Sequence, residues 1–250
     1  MEKLSIVIIT FNEEKNIKAC LDAVVDLSDD IIVVDSFSTD KTKEICEQYA
    51  NVNFVSHKWE GYAKQKNFAN SLVKYPYLLS LDADEVISKE LMASIKALHS
   101  FNGVYEFSRL TNYCGSWVHH CGWYPDAKIR VFPKEGSYWE GDFVHETLVI
   151  PTGLETIRLN GDLLHYSYHS IEDHYNQIEK YSSLHAEKMK HAGKKASFLK
   201  QYISPAFKFF RTYFLQLGFL DGKAGYDIAR ISAKAVRLKY HKLKQISNGS

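Results

Sequence analysis

The feature that most limits what this chain can become is a fourfold alternation. Short apolar runs, "LSIVIIT" (4–10), "DIIVVDS" (30–36), "VNFVS" (52–56) and "YLLSLDADE" (77–85), each give way to a segment with helical character. Runs this short and this rich in β-branched residues predict strands buried on both faces. The segments between them fit helices. "EEKNIKACLDAVVDL" places Ile17, Cys20, Leu21, Val24 and Val25 at helical spacing, and "STDKTKEICEQYA" does so with Ile45, Cys46 and Tyr49. "GYAKQKNFANSLV" reads as a third helix, and "SKELMASIKALHS" as a fourth with Ser88 as its N-cap. Strand, helix and strand in this order imply right-handed crossovers and an α/β fold with a mixed, mostly parallel sheet flanked by helices.

Such sheets bind ligands beyond the carboxyl ends of their strands. Three strands deliver polar residues there: Thr10-Phe11-Asn12, Asp35-Ser36, and Asp82-Ala83-Asp84. A buried strand running into Asp82, Asp84 and Glu85 suits a hard cation. Mg²⁺ or Mn²⁺ takes oxygen ligands and is commonly shared between one or two carboxylates and a substrate phosphate. Ala83 is small enough to let a diphosphate approach. A metal there would stabilise a departing nucleoside diphosphate as a Lewis acid. Two aspartates in a turn also occur as plain caps, and Asn12 or Asp35 can cap the helix that follows. Phe11 can be core and Lys66 a solvated helix residue. The side-by-side position of the three strand ends is what points to a phosphate.

From about 103 to 166 the pattern changes to short strands and turns: "GVYEFSRL", "AKIRVF", "FVHETLVI" and "GDLLHYSY". These predict mixed or antiparallel strands added to the sheet. Ser170, with Asp173 three residues on, reads as an N-cap, and the chain beyond it looks helical. The four cysteines, Cys20, Cys46, Cys114 and Cys121, form no C-x-x-C pair, which suits a reducing compartment rather than a disulfide framework. "CGSWVHHC" has ligand chemistry in Cys114, His119, His120 and Cys121, but its spacing matches no familiar zinc pattern, so a loop shaping a cleft is the alternative. No signal peptide and no run long enough to span a membrane is expected.

The net charge of +1 conceals an asymmetry. Ala186–Ser250 holds 14 Lys and Arg against 3 Asp and Glu, a net of +11, and the rest of the chain is −10. "FLKQYISPAFKFFRTYFLQLGFL" and "YDIARISAKAVRLKYHKLK" mix aromatics with Lys200, Lys208 and Arg211 and further basic residues at helical spacing. Helices of this kind suit an anionic membrane surface. The same composition also fits single-stranded nucleic acid, or a hairpin with a solvated basic face.

"IVIITFNEEKNI", "IIVVDSFSTDKT", "AKQKNFA" and "LSLDADE" resemble, in order, the nucleotide-sugar motifs of family 2 glycosyltransferases with the GT-A fold. "GWYPDAKIRVF", "FVHE" and the C-terminal "GFLDGKAGYDIA" are similar to the branch that includes bacterial lipopolysaccharide-core β-glucosyltransferases. The resemblance covers roughly residues 4 to 170. It implies a GT-A-like catalytic domain over 1–170, with donor binding in 1–100 and the acceptor side in 101–170; the charge pattern beyond it gives a basic helical membrane-surface extension over 171–250. The resemblance implies inverting transfer of a sugar, expected to be a hexose, from a UDP-sugar to a glycan or lipid-linked acceptor. Thr10, Phe11 and Asn12 would lie at the base and ribose, with Asp35 near them and Glu13, Ser36 and Ala83 completing the donor-binding set. Lys66 stands where the family often has an arginine touching the nucleotide. Asp82 would approach the ribose or diphosphate, and Asp84 is the better metal ligand of the two. One departure is the pair Asp35-Ser36, where many members have adjacent aspartates, so uracil rests on the resemblance alone.

Inversion needs one general base near the attacking hydroxyl. Asp126, Asp142 and Glu146 compete. The resemblance favours Glu146 of "VHE", with His145 as an orienting or phosphate-side neighbour and Asp126 as runner-up, beside the flat faces of Trp123 and Tyr124. Two other readings stand. A nucleotidyltransferase would carry a Gly-rich loop after the first strand, which "TFNEEKNI" lacks, and a non-catalytic membrane-surface module would need neither Asp84 nor Glu146. The expected location is cytoplasmic, peripheral on the inner face of a bacterial inner membrane, with no nucleic-acid partner.

Overall fold

The computed structural model describes residues 2–141, 146–197 and 199–248. The chain forms two compact units, Met1–Arg109 with Asp126–His165, and Leu110–Pro125 with Tyr166–Ser250. In chain order the elements are β1 (Ser5–Thr10), α1 (Ile17–Val24), β2 (Ile31–Asp35), α2 (Thr42–Cys46), β3 (Val52–Ser56), α3 (Tyr62–Ser71), β4 (Tyr77–Asp82), β5 (Glu85–Ile87) and α4 (Lys89–Lys96). They continue with β6 (Val104–Tyr113), β7 (Ser116–Val118), β8 (Asp126–Pro133), β9 (Tyr138–Glu140), β10 (Thr147–Val149), β11 (Thr156–Tyr168), α5 (Ile171–His191), α6 (Ser204–Phe210) and α7 (Gly222–Asn248).

The sheet is mixed and runs β3-β2-β1-β4-β8-β6-β11-β5. β1, β2, β3 and β4 pair in parallel, whereas β8 joins β4 and β6, and β5 joins β11, antiparallel. The fourfold alternation is therefore the parallel half. Alternate residues of one strand feed opposite faces. Ile6 and Ile8 of β1, with Ile31 and Val33 of β2, enter one core with Ile17, Cys20, Leu21 and Val24 of α1. Val7, Ile9, Ile32 and Val34 enter a second core with Ala69, at the other face. This is why β1 is apolar from Ile6 to Ile9 and β2 from Ile31 to Val34, with no alternation. α2 is shorter than the "EICEQYA" periodicity predicts; it ends at Cys46, and the Tyr49 hydroxyl donates to Asp22 instead, at 2.6 Å. Ser88 caps α4 by accepting from Leu91 N at 3.2 Å.

In the second unit β7 pairs with the end of β6, and α7 packs along α5 and α6. Ser170 and Asp173 form a reciprocal capping box at the start of α5. Tyr113, Val118, Cys121, Ala224 and Ile228 form its core. The "GFLDGKAGYDIA" motif has a packing reason: a Cβ on Gly225 would stand 1.8 Å from the carbonyl oxygen of Gly218, so only glycine fits. Among the described residues no helix is long and apolar enough to cross a membrane.

Candidate active site

Sheet register brings the first three motif residues level. Thr10 of β1 stands opposite Asp35 of β2, and Ile9 opposite Asp82 of β4. Beyond these ends the chain is tied loop to loop. Asn12 sits at φ 55°, a left-handed conformation that asparagine tolerates. Its backbone N–H donates to Ser38 Oγ at 2.8 Å, and its Oδ1 accepts from Thr39 N at 2.8 Å. The buried Asp35 carboxylate accepts from the Ser38 N–H at 2.9 Å and from the Ser38 hydroxyl. Asp35 thus shapes its own loop. Ser36 Oγ accepts from Gln65 of α3 at 3.0 Å. Two aromatic rings are left facing outward at these strand ends, Phe11 at 56% and Phe37 at 61% exposure. Phe37 was not singled out from the sequence; its signal is a large apolar residue directly after Asp35-Ser36.

The carboxylates after β4 divide their work. Glu85 is fully buried. It accepts from Asp82 N at 3.0 Å and binds the guanidinium of Arg130, with Arg109 Nη1 at 3.5 Å. Glu85 is therefore a strut that fixes the turn. Asp82 Oδ2 meets Arg130 Nη2 at 2.9 Å, and its Oδ1 lies 3.2 Å from Lys66 Nζ. Burial pushes the Asp82 carboxyl up, but Lys66 and Arg130 outweigh it and hold the group well below the usual carboxylate range. Ala83 is buried between the two aspartates. Buried Thr10 Oγ1 makes no hydrogen bond among the described residues, whereas Asp82 Oδ1 has Lys66 as its partner. A buried polar atom in the state of Thr10 Oγ1 is open to a water or to a ligand group.

Asp84 Oδ2 lies 3.1 Å from Nε2 of His165. The pairing of β11 with β5, which sets His165 against Glu85, carries this histidine to the carboxylates. His165 was read only as part of a strand from the sequence. Glu13 lies close by. Burial pushes its carboxyl up to about 7, against its hydrogen bond from Asn16 at 2.7 Å, with Asp84 and Asp40 adding to the rise. Among the described residues no group of three or more His, Cys, Asp or Glu is placed to hold a metal ion alone. A carboxylate and an imidazole converging on one point suit Mn²⁺ or Mg²⁺ when diphosphate oxygens and water supply the remaining positions. The residues present fit such an ion, with Asp84 and His165 as its protein donors.

Lys66, only 2% exposed, donates to Glu146 Oε1 at 3.0 Å and places its ammonium 4.6 Å from the ring of Trp139. Asn67 of α3 bonds both backbone groups of Trp139, each at 2.7 Å. The β9–β10 pairing, with Thr147 opposite Glu140, brings Glu146 to the same place. Lys66 is a bridge between Asp82 and Glu146, not a solvated helix residue. Asp126 is held by Arg109 through Nε at 3.0 Å and Nη2 at 2.7 Å, and by Lys128 at 2.9 Å. Burial raises its carboxyl, and Lys128 and Arg109 bring it below the ordinary value. His145 and Asp142 lie outside the described residues. In the second unit Trp123 stacks on Tyr168, and His119 meets Tyr124 edge-on. His119 N and His120 N donate to Asp221, His120 Nδ1 stands 2.8 Å from the same carboxylate, and the Cys121 thiol points to Gly225 O. The "CGSWVHHC" segment is thereby folded onto the "GFLDG" turn.

Residues 5–106 match the model of the glycosyl transferase family 2. An uncharacterized glycosyltransferase of Rickettsia typhi is 30% identical, the match covering 99% of this chain and 88% of that protein. The lipopolysaccharide core biosynthesis glycosyltransferase LpsC of Rhizobium meliloti is 28% identical, over 98% of this chain and 95% of its own. In fold the chain is similar to a mannosyltransferase from Pyrobaculum calidifontis, solved with GDP-Man and Mn²⁺. That similarity has a TM-score of 0.51 and 16% identity over 99% of this chain and 76% of that one.

Proposed function

Because the chain belongs to the family 2 glycosyltransferases, we propose that it transfers a hexose, with inversion, from a UDP-sugar to a cell-envelope glycolipid such as a lipopolysaccharide core. The observation that carries this reading is the convergence of Asp82, Asp84, Lys66, Glu146 and His165 beyond the carboxyl end of β4. Phe11 and Phe37 offer ring faces for the base, and Thr10 Oγ1 a free polar atom beside it. Lys66 and Arg130 keep Asp82 ionised and bring positive charge to the edge of the diphosphate site. A divalent ion held by Asp84 and His165 would neutralise charge on the departing diphosphate.

Glu146 is the general base of this reading. It has one cationic partner, whereas Asp126 is clamped by two, which hold its carboxyl below the ordinary value and make it the weaker base. Glu146 takes the proton of the acceptor hydroxyl as its oxygen attacks the anomeric carbon from the face opposite the leaving diphosphate. The glycolipid acceptor is supported by the whole-length similarity to LpsC. The basic helical unit then fits peripheral contact with an anionic membrane on the cytoplasmic side. Thermal unfolding against nucleoside diphosphates, with and without Mn²⁺, tests the donor site. A metal-dependent rise with UDP that is absent in Asp84→Ala supports the reading; no response to any nucleotide in folded protein overturns it.

A further inference from the structure

In a water-facing helix the apolar stripe turns inward. The segment 199–214 does the reverse. Leu199, Ile203, Phe207, Phe210 and Phe214 recur at intervals of three and four residues, the spacing of one helical face, and each is between 48% and 61% exposed. On the other side Gln201, Pro205 and Thr212 are buried, and Phe209 and Tyr213 meet the ring of Tyr226 of α7. The segment is helical throughout, as α6 flanked by π-helical turns at Leu199–Ile203 and Arg211–Leu215. Phe210 and Phe214 meet each other at 5.3 Å, yet among the described residues the stripe stays exposed, an apolar surface of the kind that marks a partner from outside.

Beside the stripe, α6 and α7 enclose a groove of about 600 Å³. Phe209 and Leu238 line its apolar part, and Arg230, Lys234, Arg237 and His241 supply its polar part. Lys234 lies 4.4 Å from the Tyr175 ring and Arg237 6.0 Å from that of Tyr202; among the described residues neither has a carboxylate partner. Rings orient these cations without neutralising them. An occupant must therefore be apolar at one end and anionic at the other. A second copy presenting the same face fails that requirement, since it would bring another segment of net +11 against the first.

We propose that this face is a lipid seat: the stripe lies among the acyl chains of an anionic bilayer, and the groove takes the phosphate of one lipid headgroup. The inference rests on the membrane contact in the proposed function and gives it a surface. It places the long apolar residues on the bilayer side and the cations at headgroup level, as interfacial helices require.

Flotation of the full chain with phosphatidylcholine vesicles, with and without phosphatidylglycerol, tests it. The unaltered protein is expected to float with the anionic vesicles and lose that binding as salt rises. Lys234→Ala with Arg237→Ala should weaken binding about thirtyfold, given about fivefold for each basic residue near an anionic surface. Phe207→Ser with Phe210→Ser should abolish it. All four positions are outward-facing, and an unchanged UDP-induced thermal shift in each variant reports an intact donor site. Loss of flotation with the thermal midpoint unchanged therefore supports the seat, independently of whether the donor reading holds. Equal binding to neutral vesicles, or flotation indifferent to both double variants, overturns it. So does displacement from vesicles by inorganic phosphate at matched ionic strength, which assigns the groove to a free anion. Concentration-dependent self-association lost in the phenylalanine variant overturns it too, by assigning the stripe to a second copy.

Discussion

Lys66 Nζ lies 3.0 Å from Oε1 of Glu146, a residue 80 positions further along the chain, and 3.2 Å from Oδ1 of Asp82. One buried ammonium thus joins the acid expected at the acceptor hydroxyl to the acid expected at the donor. Removing it takes from Glu146 its cationic partner and leaves Asp82 with Arg130 alone. Lys66→Ala is predicted to cost about 3 kcal/mol of stability, the low end for breaking a buried pair, since both carboxylates keep some contact with water. Glu146→Gln retains an amide oxygen for Lys66 to donate to. It should fold and respond to UDP as before, while transfer falls about 10²–10⁴-fold with loss of the base. A Glu146→Gln enzyme with near-normal turnover would assign the base to another group.

The Asp84–His165 pair predicts a shared metal dependence. In Asp84→Asn or His165→Gln one of two protein donors is weakened or misplaced, and the metal-dependent part of the UDP response should shrink in both. In the unaltered protein a ligand at a hundred times its dissociation constant stabilises by about 2.7 kcal/mol, or about 5–10 °C at this chain length. A His165→Gln variant with the full Mn²⁺-dependent shift would remove His165 from the donor set.

Arg130 is 3% exposed and spans Glu85 and Asp82. Arg130→Met leaves Glu85 buried and short of its main partner, with a predicted cost of about 3–5 kcal/mol. Arg130→Lys should recover only part of this, because one ammonium cannot reproduce the planar fork of a guanidinium. Adding Glu85→Gln to Arg130→Met should restore stability beyond the sum of the single effects, read as a double-mutant cycle in denaturant. Strictly additive losses would show that the two side chains do not act as a pair.

These residues also separate what the sequence disclosed from what it withheld. Thr10, Asp35 and Asp82 were legible as level strand ends because the signal is local: an apolar run, a polar stop, and parallel strands that must stop together. Ser88 and Ser170 were legible for the same reason, since a cap lies within three residues of what it caps. His165, Arg130 and the Lys66–Glu146 bridge were not. Each depends on antiparallel pairings, β11 on β5, β8 on β4, β10 on β9, whose partners are remote in sequence and whose register no local periodicity fixes. The outward stripe of 199–214 was visible as aromatics among cations, but which face of it is covered depends on α7.

His174 carries the last prediction, on pH. It is 4% exposed, its Nδ1 stands 3.0 Å from the Tyr113 hydroxyl, and the rings of Tyr113 and Tyr168 lie at 5.4 and 4.8 Å. Burial pushes its imidazole down to about 4, and nearby Asp227 only partly opposes this. The folded value lies below the ordinary 6.5, so as pH falls the unfolded chain takes up the proton first. The resulting stabilisation is complete above pH 6.5 and is lost progressively towards pH 4, about 3 kcal/mol in all. His174→Gln keeps a polar partner for Tyr113 but cannot titrate. Thermal unfolding followed from neutral pH down to 4 should fall less steeply in this variant than in the unaltered protein; parallel curves would place the acid sensitivity elsewhere.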